Sequence, residues 1–147
     1  MKGIIFLLNV LLVTTGPLLA QKAEVFSTSA GAIRGYDAVE YFKQNKAVKG
    51  SPQNVYSWKN AKWYFATKEN LENFKATPEK YEPQYGGYCA YGLSEGHKAP
   101  TDPNAFTIVN GKLYLNYNLD VRSDWSKSKE ERIVTADKNW PAVKNKE

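Results

Sequence analysis

Phe106-Thr107-Ile108-Val109-Asn110-Gly111-Lys112-Leu113-Tyr114-Leu115 reads as a β-hairpin. Asn-Gly is the preferred two-residue type I′ turn, because both central residues need positive φ. With the turn at Asn110-Gly111, Phe106, Ile108, Leu113 and Leu115 share one face, which is the expected core face. A second hairpin is read upstream, from Tyr56-Ser57-Trp58-Lys59 and Lys62-Trp63-Tyr64-Phe65 around Asn60-Ala61. It sets Trp58 opposite or nearly opposite Trp63, a cross-strand aromatic pair.

Helix signals follow each hairpin. Thr67 caps a helix over Lys68 to Lys75, with Leu71 and Phe74 on one face. Thr77-Pro78 starts another turn, with proline at its favoured first position, and this turn stops before Pro83. Gly86-Gly87 breaks the chain. Tyr88 to Glu95 reads as a short helix closed by Gly96. Asn118 caps a helix carrying Val121 and Trp125. Ser128 with Glu131 predicts a capping box for a last helix through Trp140, ended by Pro141. The expected class is a small α+β domain, an antiparallel sheet built from two hairpins and packed with short helices.

The start of the chain has the order of a secretory leader. Lys2 precedes an apolar run from Ile4 to Val13, then Gly16, Pro17 and Ala20. Cleavage is expected after Ala20, although Leu18 is larger than that position prefers. The competing reading is an uncleaved anchor, but the run falls short of the roughly 20 apolar residues a membrane span needs. The expected organisation is a leader over 1–20, a lead-in over 21–34, a domain over 35–141 and a loose tail over 142–147. The protein is expected to be exported, periplasmic or secreted, with a bacterial source and no stable membrane span once the leader is removed.

Four Trp and ten Tyr suit a compact core and argue against disorder. The formal net charge of +5 is a mild excess. Lys127, Lys129, Lys138, Lys144 and Lys146 interleave with Glu130, Glu131 and Asp137, the pattern of a solvated face. No basic stripe with regular aromatic interleaving appears, so nucleic acid is not an expected partner. No Ser-His-Asp order, phosphate-cradling glycine loop or His-Glu-x-x-His motif is present.

The chemistry-bearing stretch is Tyr85-Gly86-Gly87-Tyr88-Cys89-Ala90-Tyr91-Gly92. Cys89 is the one cysteine, so an internal disulfide is impossible. Its thiol is either a small packing group or a reactive centre. Gly86, Gly87, Ala90 and Gly92 leave room for a substrate, and a helix start, Lys98 or His97 would favour a thiolate. An oxidative cycle would need an external thiol or disulfide partner, because no second cysteine resolves a sulfenic acid. His97, the one histidine, is either an exposed loop residue or a base or ligand beside the thiol. Cys89 with His97 would suit copper or another soft metal ion, delivered by a metal donor. Tyr85, Tyr88 and Tyr91 either line a cofactor site, stacking on a flat ring or ligating haem iron, or belong to the core.

Trp63-Tyr64-Phe65-Ala66-Thr67-Lys68-Glu69-Asn70-Leu71-Glu72-Asn73-Phe74, continuing to Pro78-Glu79-Lys80-Tyr81, resembles the YHS domain family, small and often metal-associated domains. Gly35-Tyr36-Asp37-Ala38-Val39 resembles the family's opening segment. An exported subgroup is matched by Gly35-Tyr36-Asp37-x-Val39-x-Tyr41-Phe42, Tyr85-Gly86-Gly87-Tyr88-Cys89-Ala90, Asn110-Gly111-Lys112-Leu113-Tyr114-Leu115-Asn116-Tyr117 and Ala136-Asp137-x-Asn139-Trp140-Pro141. In that subgroup the position of Cys89 can hold selenocysteine, so the resemblance implies a reactive chalcogen there. Metal-binding relatives place cysteines where this chain has Glu40, Ala66 and Asn70, so their thiolate metal site is missing. Two functions are therefore expected as alternatives. One is a redox or soft-metal protein centred on Cys89. The other is a non-catalytic binding or accessory module in which Cys89 only packs.

Overall fold

The computed structural model describes residues 23–146. The leader expected over 1–20 lies outside the described residues. The fold is α+β. Strands β1 (Ser27–Thr28) and β2 (Gly31–Ala32) lead through a 3-10 turn at Ile33–Gly35 to helix α1 (Glu40–Gln44). The hairpin of β3 (Ser51–Trp58) and β4 (Ala61–Phe65) precedes α2 (Lys68–Ala76) and α3 (Pro78–Tyr81). A 3-10 segment at Gln84–Gly87 enters α4 (Ala90–Ser94). The hairpin of β5 (Phe106–Val109) and β6 (Lys112–Leu115) is followed by α5 (Leu119–Ser126) and α6 (Lys129–Val143).

Local chemistry explains most of these elements. Asn110 and Gly111 have φ of 51° and 73°, as the type I′ turn demands. The β3–β4 turn sits on Lys59 and Asn60, at φ 48° and 58°, one residue earlier than Asn60-Ala61. That register pairs Trp58 with Ala61 and Tyr56 with Trp63. The two tryptophans therefore meet diagonally, edge to face at 5.7 Å. Thr67 caps α2 by accepting from the Asn70 amide, and Asn118 caps α5 by accepting from that of Val121.

The expected α+β class holds, and each of the two expected hairpins forms its own sheet. The described residues form three separate two-stranded antiparallel sheets. Side-chain packing joins them instead. Leu113 and Leu115 point into a core with Val25, Ile33, Val39, Tyr41, Trp63, Phe65 and Phe74. Between them Tyr114 points the other way, into a second core with Tyr85, Tyr88, Leu93, Trp125 and Ala136. The two-residue period of β6 thus serves both cores.

Both ends of the described residues pack into the domain. The lead-in over 21–34 contributes core residues, because Val25, Ala32 and Ile33 are buried and β1–β2 form there. The Ser128 side chain makes no capping bond, so the capping box does not form. Helix α6 passes through Pro141 to Val143 instead of stopping, and residues 142–146 of the tail expected over 142–147 are anchored. Val143 is buried in the second core. Lys98 Nζ also donates to the carbonyls of Lys144 and Lys146, at 2.8 and 3.0 Å. A cation on the last carbonyls of a helix satisfies orphan acceptors and complements the dipole. No helix among the described residues is long and apolar enough to cross a membrane.

Candidate functional site

Cys89 is the residue before α4, with φ −58° and ψ 119°, rather than part of its first turn. The backbone fixes it on both sides. Its amide donates to the Ala99 carbonyl, and its carbonyl accepts from Leu93. The side chain is 2% exposed. Its sulfur donates to Asn116 Oδ1 at 3.5 Å, and the same oxygen accepts from the Tyr91 amide at 3.0 Å. The amide donor at Tyr91 decides which way Asn116 faces, since an Nδ2 there would meet another donor. The thiol thus meets an acceptor and packing, not a cation.

The other expected participants lie apart from it. His97 is exposed on the loop after α4. Lys98 turns its amine to the carbonyls of Ala23, Lys144 and Lys146, over the Tyr88 ring. Among the described residues no group of three His, Cys, Asp or Glu side chains gathers as a metal site. Tyr85, Tyr88 and Tyr91 also fail to share one pocket. Tyr85 donates to Asp137 Oδ1 at 2.8 Å and lines one cleft. Tyr88 donates to the Ala23 carbonyl and lines a different one, with Phe26, Lys98 and Pro100. Tyr91 lies beneath the Arg132 guanidinium, 3.7 Å away. Burial raises the phenol pKa of Tyr85 and Tyr88, and the bond to Asp137 raises Tyr85 further.

Glu40, Ala66 and Asn70 do converge, around Asp37. Asp37 Oδ1 accepts from the Val39 amide, and Oδ2 accepts from the Ala66 amide and from Asn70 Nδ2. Asn70 Nδ2 also donates to Glu40 Oε1 at 2.6 Å, while Asn70 Oδ1 accepts from Lys43. Where the resemblance sets thiolates, this chain has a buried oxygen and amide network. Glu40 Oε2 is its one orphan among the described residues, a buried atom with no partner there. The network ties α1 to the start of α2 and supplies no sulfur ligand.

The Gln84–Gly87 turn forms the floor of a cleft of about 290 Å³. Tyr85 takes φ 58° there, a left-handed conformation that is uncommon for an aromatic residue. Gly86 follows at φ 63°, and a Cβ on it would fall 1.8 Å from the Glu24 carbonyl oxygen. Glycine is therefore required for the N-terminal segment to lie across this turn. The Gly86 carbonyl accepts from the Phe26 amide, which holds that segment in place.

The cleft wall carries a charge network. Lys59 Nζ lies 3.4 Å from Glu24 and 3.2 Å from Glu82, and Lys144 Nζ lies 3.1 Å from Glu24. Burial opposes ionisation of Glu24, but Lys144 and Lys59 outweigh it and lower its pKa. Burial opposes the charge on Lys59 too, and Glu82 and Glu24 outweigh it and raise its pKa. At Glu82 burial wins over Lys59, so that carboxyl is raised above its usual 4.5. Sequence reasoning missed Glu24, Lys59, Glu82 and Lys112 as cleft residues. They come from four separate segments with no motif to link them. No family model, curated protein or solved structure matches this chain.

Proposed function

We propose that this chain is an exported YHS-like binding or accessory module that performs no chemistry of its own, with Cys89 as a packing residue. The observation that carries the reading is the seat of the sulfur, 2% exposed and hydrogen-bonded to Asn116. A nucleophile or soft-metal ligand must reach its substrate, and Cys89 lines neither of the two clefts beside Tyr85 and Tyr88. The cleft beside Tyr85 has what a recognition site needs: a glycine-dependent turn, aromatic walls and convergent charged groups.

The test is the alkylation rate of Cys89 against pH on the folded protein without added metal. The binding-module reading expects negligible labelling until the protein unfolds. Fast labelling, with a midpoint well below the free-thiol value of about 8.5, would overturn it in favour of thiolate redox chemistry or soft-metal ligation.

A further inference from the structure

We infer that the cleft over Tyr85 binds a small zwitterion, an amino acid or short peptide with both ends free. The inference rests on the binding-module reading and names its ligand class. It follows from the way charges around the cleft cancel. Glu24 and Glu82 are matched by Lys59 and Lys144 in a continuous network, two carboxylates against two ammonium groups. What remains on the lining, among the described residues, is one cation, Lys112, and one anion, Asp137. Lys112 is exposed after the β5–β6 turn and makes no ion pair among the described residues. Asp137 uses Oδ1 for the Tyr85 hydroxyl, and Oδ2 has no partner among the described residues.

A simple anion would meet Lys112 but also three carboxylates. A simple cation would meet Asp137 but also the lysines. A ligand carrying both charges places its carboxylate at Lys112 and its ammonium at Asp137, and repels neither. The Tyr85 and Trp140 rings, 6.1 Å apart and edge to face, form the apolar side against which a short backbone lies. The Tyr85–Asp137 bond fixes the carboxylate, so little side-chain entropy is lost on binding. A metal ion is a poor occupant, because the acidic groups do not cluster closely enough to ligate one.

The experiment is an amide-resolved NMR titration of the folded chain with glycine, glycylglycine and triglycine. N-acetylglycylglycine and glycylglycinamide are the single-charge controls. The expected result is saturable shifts confined to residues 24–25, 59, 82–87, 112 and 137–141. Each control, and each of Asp137→Asn and Lys112→Gln, should weaken binding about tenfold, the cost of one charge-assisted contact. Glycine binding best would identify a free amino acid, and a longer member binding best would identify a peptide. Controls that bind equally well, shifts that map elsewhere, or no saturable change with any probe would overturn the inference. Thiol labelling of the same sample reads the parent proposal separately, so the two can fail independently.

Discussion

The thiol of Cys89 and the amide of Tyr91 converge on a single atom, Asn116 Oδ1, across 27 and 25 residues of chain. The two contacts differ in worth. The Tyr91 amide is a strong donor that must be satisfied when buried, whereas a thiol is a weak one. Asn116→Ala is expected to destabilise the protein by about 2 kcal/mol by stranding the amide. Cys89→Ala should cost only about 1 kcal/mol, the loss of one buried sulfur's packing. Denaturant unfolding of the two variants checks the order. Equal costs would mean that the thiol contributes more than packing.

Asp37 and Glu40 share one amide donor, yet their surroundings are opposite. Asp37 accepts three hydrogen bonds, two of them from the backbone. Glu40 accepts one and leaves Oε2 unpartnered. Asp37→Ala is expected to cost about 3 kcal/mol or more, because buried donors are stranded at both α1 and α2. Glu40→Gln should be close to neutral, since it keeps an acceptor for Asn70 and replaces only an oxygen that has no partner among the described residues. Thermal unfolding of both variants at neutral pH decides this, and a Glu40→Gln loss as large as that of Asp37→Ala would refute it.

Features set by a few adjacent residues were legible in the sequence. Asn110-Gly111, the Thr67 cap, the Asn118 cap and the α+β class all depend on backbone chemistry within a short window. Ser128 was legible only in part. Its amide bonds back to Trp125, and at φ −142° and ψ 40° its side chain cannot serve the next helix. The state of Cys89 was not legible, because it depends on Asn116 on another element. The same holds for the meeting of Asp37 with Asn70, and for the four segments that build the charged cleft wall. Pro141 misled for a related reason. Lys98 and the buried Val143 hold the last turn of α6 in spite of the missing amide.

Lys98 is buried, and its amine donates to Ala23, Lys144 and Lys146 carbonyls. It therefore fastens both ends of the described chain to the loop after α4. Lys98→Met keeps the stem and removes these charge-assisted bonds. It is expected to cost about 2 kcal/mol. Amide hydrogen exchange should accelerate at residues 140–146 before the β3–β4 core responds. Unchanged exchange there would mean that Val143 burial alone secures the end of the helix.

Glu82 and Glu24 both contact Lys59, but their pKa values move in opposite directions, Glu82 up by burial and Glu24 down because Lys144 and Lys59 outweigh burial, and this gives a signed pH test. The pKa of Glu82 in the folded state lies above its ordinary 4.5. Its contribution is fully present below that value and is lost as pH rises through the folded pKa. Glu24 is lowered by Lys144 and Lys59, so its contribution is present above 4.5 and lost as pH falls through its folded pKa. Glu82→Gln should therefore flatten the decline in stability above 4.5 and leave the protein at neutral pH at least as stable as before. Glu24→Gln should reduce stability at neutral pH and remove part of the loss on acidification below 4.5. Both effects are expected to be small, because water reaches the Glu24 end of the network and screens it. Urea unfolding midpoints of the two variants across the acid range measure the slopes. If Glu82→Gln steepened the decline, the Lys59 ion pair rather than burial would govern that carboxyl.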